Sequence, residues 1–204
     1  MDFGEVVTRR RMIRRYRTDP VDPAIVEHVV DTARRGPSAG FTQGTAFVVV
    51  TDDDVRHRLA ELCGEAEHVA RGRLPWLSVA PVHVLPCVRV AAYRARYAEP
   101  DKAGGRGPDE WSVPYWWVDA GAAVMLMLLA AVDAGLGAGL LDITDRDGVR
   151  QALGIPADVD PLGLVTLGYP ADEQPPSSAT HRPRRRLSDQ LHWQRWHTRP
   201  AGGR

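Results

Sequence analysis

Two cysteines, Cys63 and Cys87, are all that this 204-residue chain carries, and neither has a CxxC or metal-ligand spacing around it. A disulfide framework is excluded, and both thiols are expected to be free. The seven histidines are scattered and HExxH is missing, so no built-in metal site is expected. Net charge is missing too. Lysine plus arginine number 26 and aspartate plus glutamate 26, so overall charge predicts no nucleic-acid partner and no membrane partner. No basic segment leads into an apolar stretch after Met1, so no secretion signal is read and a cytoplasmic protein is expected. There are no internal repeats. GxSxG, GxxxxGK and a GxGxxG following a strand are all absent; GLGAG at 135–139 follows a helical stretch, the wrong context for a dinucleotide fingerprint.

The most apolar stretch is 116–139, WWVDAGAAVMLMLLAAVDAGLGAG, with no charge between Asp119 and Asp133. Strong helix formers dominate it and apolar residues occupy every face, which predicts a helix buried all round. Its aspartates interrupt before the roughly 20 apolar residues of a membrane span. Protein on both sides is the alternative to lipid, which predicts a subunit interface or, in a monomer, an ordinary core helix. Gly121, Ala122 and Ala123 permit close backbone approach in its first turn, and Gly135, Gly137 and Gly139 are read as its end, leading into a strand over 138–143.

Elsewhere helices and strands mix, which predicts one α+β domain over 1–204, a central mixed or antiparallel sheet flanked by helices. A short helix is read over 2–11, and a second one begins with Asp22 as N-cap and Pro23 at its first position and stops at Gly36. A small-residue loop, 37–40, precedes a buried strand at 46–51, and one helix is read over 54–67. Residues 79–88 have strand composition, but Pro81 and Pro86 predict an edge strand or a shorter one. The stretch 89–114 turns to arginine, glycine, proline and aromatics and suits a lid. Thr144 or Asp145 caps a helix over 149–153, a strand follows at 162–169, and 175–204 reads as an extended C-terminal segment.

Arginines gather at 9–17 and again at 182–186. Either these are solvated surface charges, or Arg10, Arg11, Arg14, Arg184 and Arg186 aim at one anion through charge-assisted hydrogen bonds. Ser38 and Gln43 add groups able to hold a polar ligand. No nucleophile constellation accompanies them, so an organic cofactor is expected to carry the chemistry while the protein positions it.

Several motifs then fall in one order: RRMIRRY at 10–16, PSAGFTQGTAFVVVTD at 37–52, WLSVAPVHVLPC at 76–87, the apolar helix, ALGIP at 152–156, LVTLGYP at 164–170 and RPRRRL at 182–187. Together they cover nearly the whole chain, which resembles the FMN-dependent nitroreductases. The resemblance implies a homodimer with the central helix at its interface, FMN held between subunits, and NADH or NADPH as electron donor. It places Arg10, Arg11, Met12, Arg14, Pro37, Ser38, Ala39, Gln43, Arg184 and Arg186 along the FMN. Asp142, Ile143 and Thr144 would bring backbone near flavin N5. The aromatics of the lid region, with Tyr93, Tyr97, Trp111 and Tyr115 foremost, and Phe41 in the loop would line the open flavin face, where they stack on a planar substrate or pack a cap. The chain departs from the pattern at Met12, where serine is usual, at Phe41, where asparagine is common, and at Gly44 and Thr45, where Pro-Trp is frequent. The expected activity is hydride transfer through FMN to an electron-poor small molecule such as a nitroaromatic or quinone. The alternatives are flavin breakdown, dehalogenation or natural-product oxidation on the same scaffold, and flavin binding without turnover.

Overall fold

The structure, a computed structural model, describes residues 1–102, 104–174, 182 and 184–197. The chain divides into two compact units, Met1–Gln174 and Pro175–Arg204. In the first unit, α1 (Phe3–Arg9) starts where the Asp2 carboxylate accepts from the Gly4 and Glu5 amides, and α2 (Pro23–Ala33) starts where Asp22 accepts from Ala24. Asp22 is the expected cap and Asp2 an unexpected one, and each satisfies amides that the helix itself leaves unpaired. The helix expected over 54–67 is two, α3 (Asp53–Leu62) and α4 (Glu65–Ala70), because Gly64 adopts φ +78° between them. Next come α5 (Val90–Tyr97), α6 (Tyr115–Asp133) and α7 (Arg146–Leu153); Asp145 caps α7 and Gly154 ends it at φ +62°.

Strands β1 (Thr45–Val50), β2 (Val82–Val88), β3 (Gly137–Leu141), β4 (Asp160–Pro161) and β5 (Leu164–Gly168) form one sheet in the order β1-β2-β5-β3, with β4 added to β2, and every pairing is antiparallel. Alternation sorts the strands between two layers. Val82, Val84, Val165 and Leu167 face α2 and α6, whereas Leu85, Cys87 and Leu164 face the cluster of Leu59, Leu62 and Val149 from α3 and α7. The fold is therefore α+β, helices on both faces of an antiparallel sheet.

Three further elements differ from their sequence reading, the first of them in part. β2 is shorter than the 79–88 stretch, as one of the two alternatives had it, but it is central and wholly buried, not an edge. Its Pro86 is tolerated because the Pro86 carbonyl accepts from Leu162 (2.8 Å), so the ring nitrogen faces the β4 side, beyond the residues that pair with β5. β1, expected to be buried, is the edge strand and only Val50 in it is fully buried. α6 packs on α2 and the sheet through Val124, Met127, Leu128 and Ala131, yet Val118, Gly121 and Met125 lie exposed along one stripe. It is not buried all round within one chain, and by length and composition it is long and apolar enough to cross a membrane, contrary to the expectation of too short a span. Its buried inner face is that of a core helix.

Both thiols are free and buried, and burial pushes each up to about 11. His83, in β2, is fully buried; its Nε2–H donates to the Leu77 carbonyl (2.8 Å) and its Nδ1 has no partner. Burial lowers its pKa to about 4, from 6.5, against the weaker pull of the Leu77 bond. The unfolded chain therefore binds a proton that the folded chain refuses between those values. Stability is full above about pH 6.5 and falls by roughly 3 kcal/mol as the pH drops toward 4. Urea midpoints at pH 7 and pH 4.5 should lie closer together in His83→Gln, which cannot take up the proton, by about 2 to 3 kcal/mol of the wild-type gap; an unchanged gap would show that His83 is not responsible.

Candidate active site

Beyond α1 the chain runs beside β3. The Ile13 amide donates to the Ala138 carbonyl (2.9 Å), and the Arg17 amide donates to Tyr169 (2.9 Å). Tyr16 is buried between them: its hydroxyl donates to the Ile13 carbonyl (3.0 Å) and shares a 2.7 Å hydrogen bond with the Thr166 hydroxyl. Burial raises the Tyr16 pKa, so the hydroxyl stays protonated and the anchor holds at any ordinary pH. Close contact is possible because β3 carries no side chain where the segment crosses it. A Cβ at Gly137 would lie 2.7 Å from Ile13 Cγ1, and one at Gly139 would lie 2.7 Å from the Trp76 ring and 2.8 Å from the Ile13 carbonyl. Of the glycines read as ending the long helix only Gly135, at φ +76°, makes the turn; Gly137 and Gly139 are strand residues selected for approach.

With Ile13 and Tyr16 turned inward, Arg11, Met12 and Arg14 are exposed and Arg10 is partly so. Neighbouring Arg9, Arg15 and Arg17 each hold a carboxylate, from Glu5, Glu173 and Asp19. Among the described residues no carboxylate pairs with Arg10, Arg11 or Arg14. Arg14 lies over the Trp76 ring, 5.6 Å from its centroid, and the Trp76 and Leu77 amides both donate to Glu65 Oε1, at 2.7 and 2.6 Å. Neither Glu65 nor Trp76 was predicted from sequence; Trp76 was legible only as part of a strand-like motif. Residues 142–144 reach the same side. Ile143 joins the buried cluster of Ile13 and Trp76, its amide takes Asp142 Oδ1 (2.9 Å), and Asp142 pairs with Arg146 (2.8 Å). Thr144 sits beside Gly64, and the Asp145 amide donates to Leu62, which ties this end of β3 to α3.

The loop 37–43 is a second group. Ser38 Oγ accepts from the Gln43 amide (3.0 Å), the Ser38 carbonyl accepts from Phe41, and the Ala39 amide donates to Asp119 Oδ2 (2.9 Å). Pro37 is exposed ahead of it. Gly40, Phe41 and Gln43 all have φ between +53° and +64°, a conformation that costs a side-chain-bearing residue on the order of 1 kcal/mol or more and tends to mark functional loops. Phe41 is 76% exposed.

The aromatics of the lid region gather around Trp111, which meets Tyr97 at 4.9 Å, Tyr115 at 5.4 Å and Tyr93 at 6.3 Å, each edge to face. Tyr93 has 0% exposure, so its ring is packing and offers no face to a planar ligand within this chain; Tyr115, at 47%, does. Residue 103 of the lid lies outside the described residues. Arg184 and Arg186 are exposed, in the second unit, just before a 3-10 turn at Leu187–Asp189; residues 175–181, 183 and 198–204 of the C-terminal segment lie outside the described residues.

The strand order keeps the two groups of the first unit apart. The loop enters β1 and the arginine segment flanks β3, at opposite edges of the sheet, three strand spacings or about 14 Å across. Among the described residues no hydrogen bond, ion pair or ring contact joins them.

A helix-flanked antiparallel sheet with unpaired arginines at one edge and a strained polar loop at the other defines a class, and the comparisons give it a family. The nitroreductase family model matches residues 7–169, and the chain belongs to that family; it is an oxidoreductase. An NADH dehydrogenase of Thermus thermophilus is 30% identical over 190 residues, spanning 87% of this chain and 91% of that protein. A nitroreductase family protein from Streptococcus pneumoniae superposes with a TM-score of 0.73 at 23% identity, over 95% of this chain and 100% of the other. An FMN-dependent nitroreductase from Clostridium difficile gives 0.68 at 18% identity, over 94% and 98%. At such identities the two structures establish the fold.

Gly139→Ala should destabilise the protein by about 1 to 3 kcal/mol, the usual range for forcing an extra methyl into a filled site. Gly107→Ala, where nothing among the described residues lies within 4 Å of the added methyl and φ is −76°, should leave the unfolding midpoint unchanged or raise it. Equal midpoints for wild type and Gly139→Ala would mean that the arginine segment does not rest on β3.

Proposed function

We propose that this protein is an FMN-dependent oxidoreductase that takes hydride from NADH or NADPH and passes it to an electron-poor small molecule, such as a nitroaromatic or a quinone. One observation carries the reading. Among the described residues Arg10, Arg11 and Arg14 stand without carboxylates in a segment, 9–17, whose other arginines are all paired, which fits a site whose negative charge comes from a ligand. The donor set suits FMN: guanidinium groups for a phosphate dianion, and the Ser38 hydroxyl and Gln43 amide for the ribityl chain and ring.

The half-sites lie at opposite edges of one sheet, so a complete site needs the loop of one copy beside the arginine edge of another. The exposed stripe of α6, with Val118 and Met125 about half exposed and Gly121 between them, supports a homodimer with two such sites. Small and apolar residues there allow α6 to approach its counterpart closely.

FMN, when bound, supplies the chemistry by accepting hydride at N5 and giving it up from the same position. The protein's part is orientation. The backbone at 142–144, stiffened by the burial of Ile143 and the Asp142–Arg146 pair, would present polar groups to the N5 edge. Phe41 and Tyr115 leave aromatic surface for a planar acceptor. The two thiols stay protonated, and His83 is buried and neutral, so none of the three is poised to exchange a proton. Protons would come from water.

The purified protein should be yellow and dimeric, and anaerobic NADH or NADPH should bleach its flavin absorbance. Flavin reduced by neither donor would sink the reductase reading and favour binding without turnover. Arg10→Ala combined with Arg14→Ala should give colourless protein that is still a dimer by sedimentation; full flavin occupancy there would show that the phosphate lies elsewhere.

A further inference from the structure

We infer that Asp119 is a positioning residue that joins the loop 37–43 to the lid helix α5, with Tyr93 as its link, so that filling the loop tightens the lid. The inference rests on the flavin reading only for what fills the loop.

The observations begin with two glycines and two tyrosines. Gly40 and Gly44 are four apart in the loop, and Tyr97 and Tyr93 are four apart on α5, hence on one helical face. Each ring occupies the space a glycine leaves. A Cβ at Gly40 would lie 2.8 Å from Tyr97 Cε2, and one at Gly44 would enter the Tyr93 ring. Between them Arg96 Nε donates to the Gly40 carbonyl (2.8 Å), while its terminal nitrogens hold both oxygens of Asp101 at 2.7 Å. α5 is thus keyed to the loop by three side chains within one turn.

Beneath this contact lies Asp119, a carboxylate 7% exposed in an otherwise apolar helix. A single oxygen, Oδ2, accepts from the Ala39 amide (2.9 Å) and from the Tyr93 hydroxyl (2.8 Å). The Tyr93 hydroxyl also meets the Thr45 side chain. Thr45, Tyr93, Asp119 and Ala39 therefore form one continuous polar chain with its two central members, Tyr93 and Asp119, buried, and the members of such a chain do not act independently. It also accounts for Gly44 and Thr45, which depart from the pattern the sequence resembles: the first makes room for the Tyr93 ring and the second meets its hydroxyl. The Ala39 peptide follows Ser38, whose Oγ holds the Gln43 amide. Fixing Ala39 thereby positions the Ser38 hydroxyl and, through it, the Gln43 backbone. By reciprocity, a ligand that orders the loop orders α5, and loosening α5 weakens the ligand.

Tyr93→Phe keeps the ring against Gly44 and deletes only the hydroxyl, so it tests the link without emptying the core. In the wild-type protein, saturating FMN should slow amide exchange along α5. In Tyr93→Phe, FMN should still bind but no longer slow it, with Kd raised about threefold to tenfold. Adding Asp119→Asn to Tyr93→Phe should raise Kd no further than Asp119→Asn alone, the mark of residues acting as one unit. In flavin-free protein both single substitutions should speed exchange of the Ala39 amide. Persistent FMN-dependent protection of α5 in Tyr93→Phe, or independent multiplying effects on Kd, would overturn the inference. A wild-type chain that takes up no FMN would remove the flavin reading instead. The Ala39 exchange rates would then decide the coupling, and unchanged rates in both variants would overturn it.

Discussion

The molecule depends on the close seating of an arginine-bearing segment against β3. Backbone hydrogen bonds from Ile13 and Arg17 and the buried Tyr16 hydroxyl hold it there, and the missing side chains of Gly137 and Gly139 let it come near enough. Ile13 and Tyr16 are committed inward, and Arg11 and Arg14 of the same segment lie exposed. Charge is thereby concentrated at a sheet edge by packing on the other side of the same segment. Trp76, held by Glu65, then gives Arg14 an aromatic surface to rest on, which restrains a long side chain without neutralising it.

The same sheet that assembles this edge keeps the second group of polar residues away from it. With β2 and β5 lying between β1 and β3, no rotation of side chains brings Ser38 or Gln43 to Arg10. In the proposed dimer that constraint makes each chain half of two sites, and it gives a role to the exposed apolar stripe of α6. The family's fold and the oxidoreductase class are established; the flavin and the dimer are the reading under which the unpaired arginines and the split polar groups make chemical sense together.

Within the loop half, the electrostatics are of the opposite kind. Asp119 brings a negative charge into an apolar helix, and it is tolerated because the Ala39 amide and the Tyr93 hydroxyl both meet it. The left-handed conformations at Phe41 and Gln43 need such external restraint, since the chain would otherwise relax out of them. The loop is held by a buried carboxylate and by three side chains of α5, so whatever orders the one orders the other.

Local chemistry was legible without a structure. Asp22 and Pro23 announce a helix start because an N-cap acts on its own next few amides, the small polar loop after Gly36 is visible for the same reason, and the ordered arginine and glycine motifs identify the family. Reading failed where the answer depended on neighbours distant in sequence. Pro86 argued for an edge, but its carbonyl found Leu162 and its missing N–H fell where no partner strand lies. Gly137 and Gly139 looked like a helix terminus, although Ile13 and Trp76 were the reason for them. Asp119 gave one signal, a charge inside an apolar run, with nothing to say what it held. The amino-acid sequence by itself determined which segments are helix or strand, how most begin and end, and the family, since those follow from contacts within a few residues. Which glycines admit a ring, which arginines go unpaired and which polar groups share an edge were decided only by the tertiary structure, because each depends on atoms brought together from far along the chain.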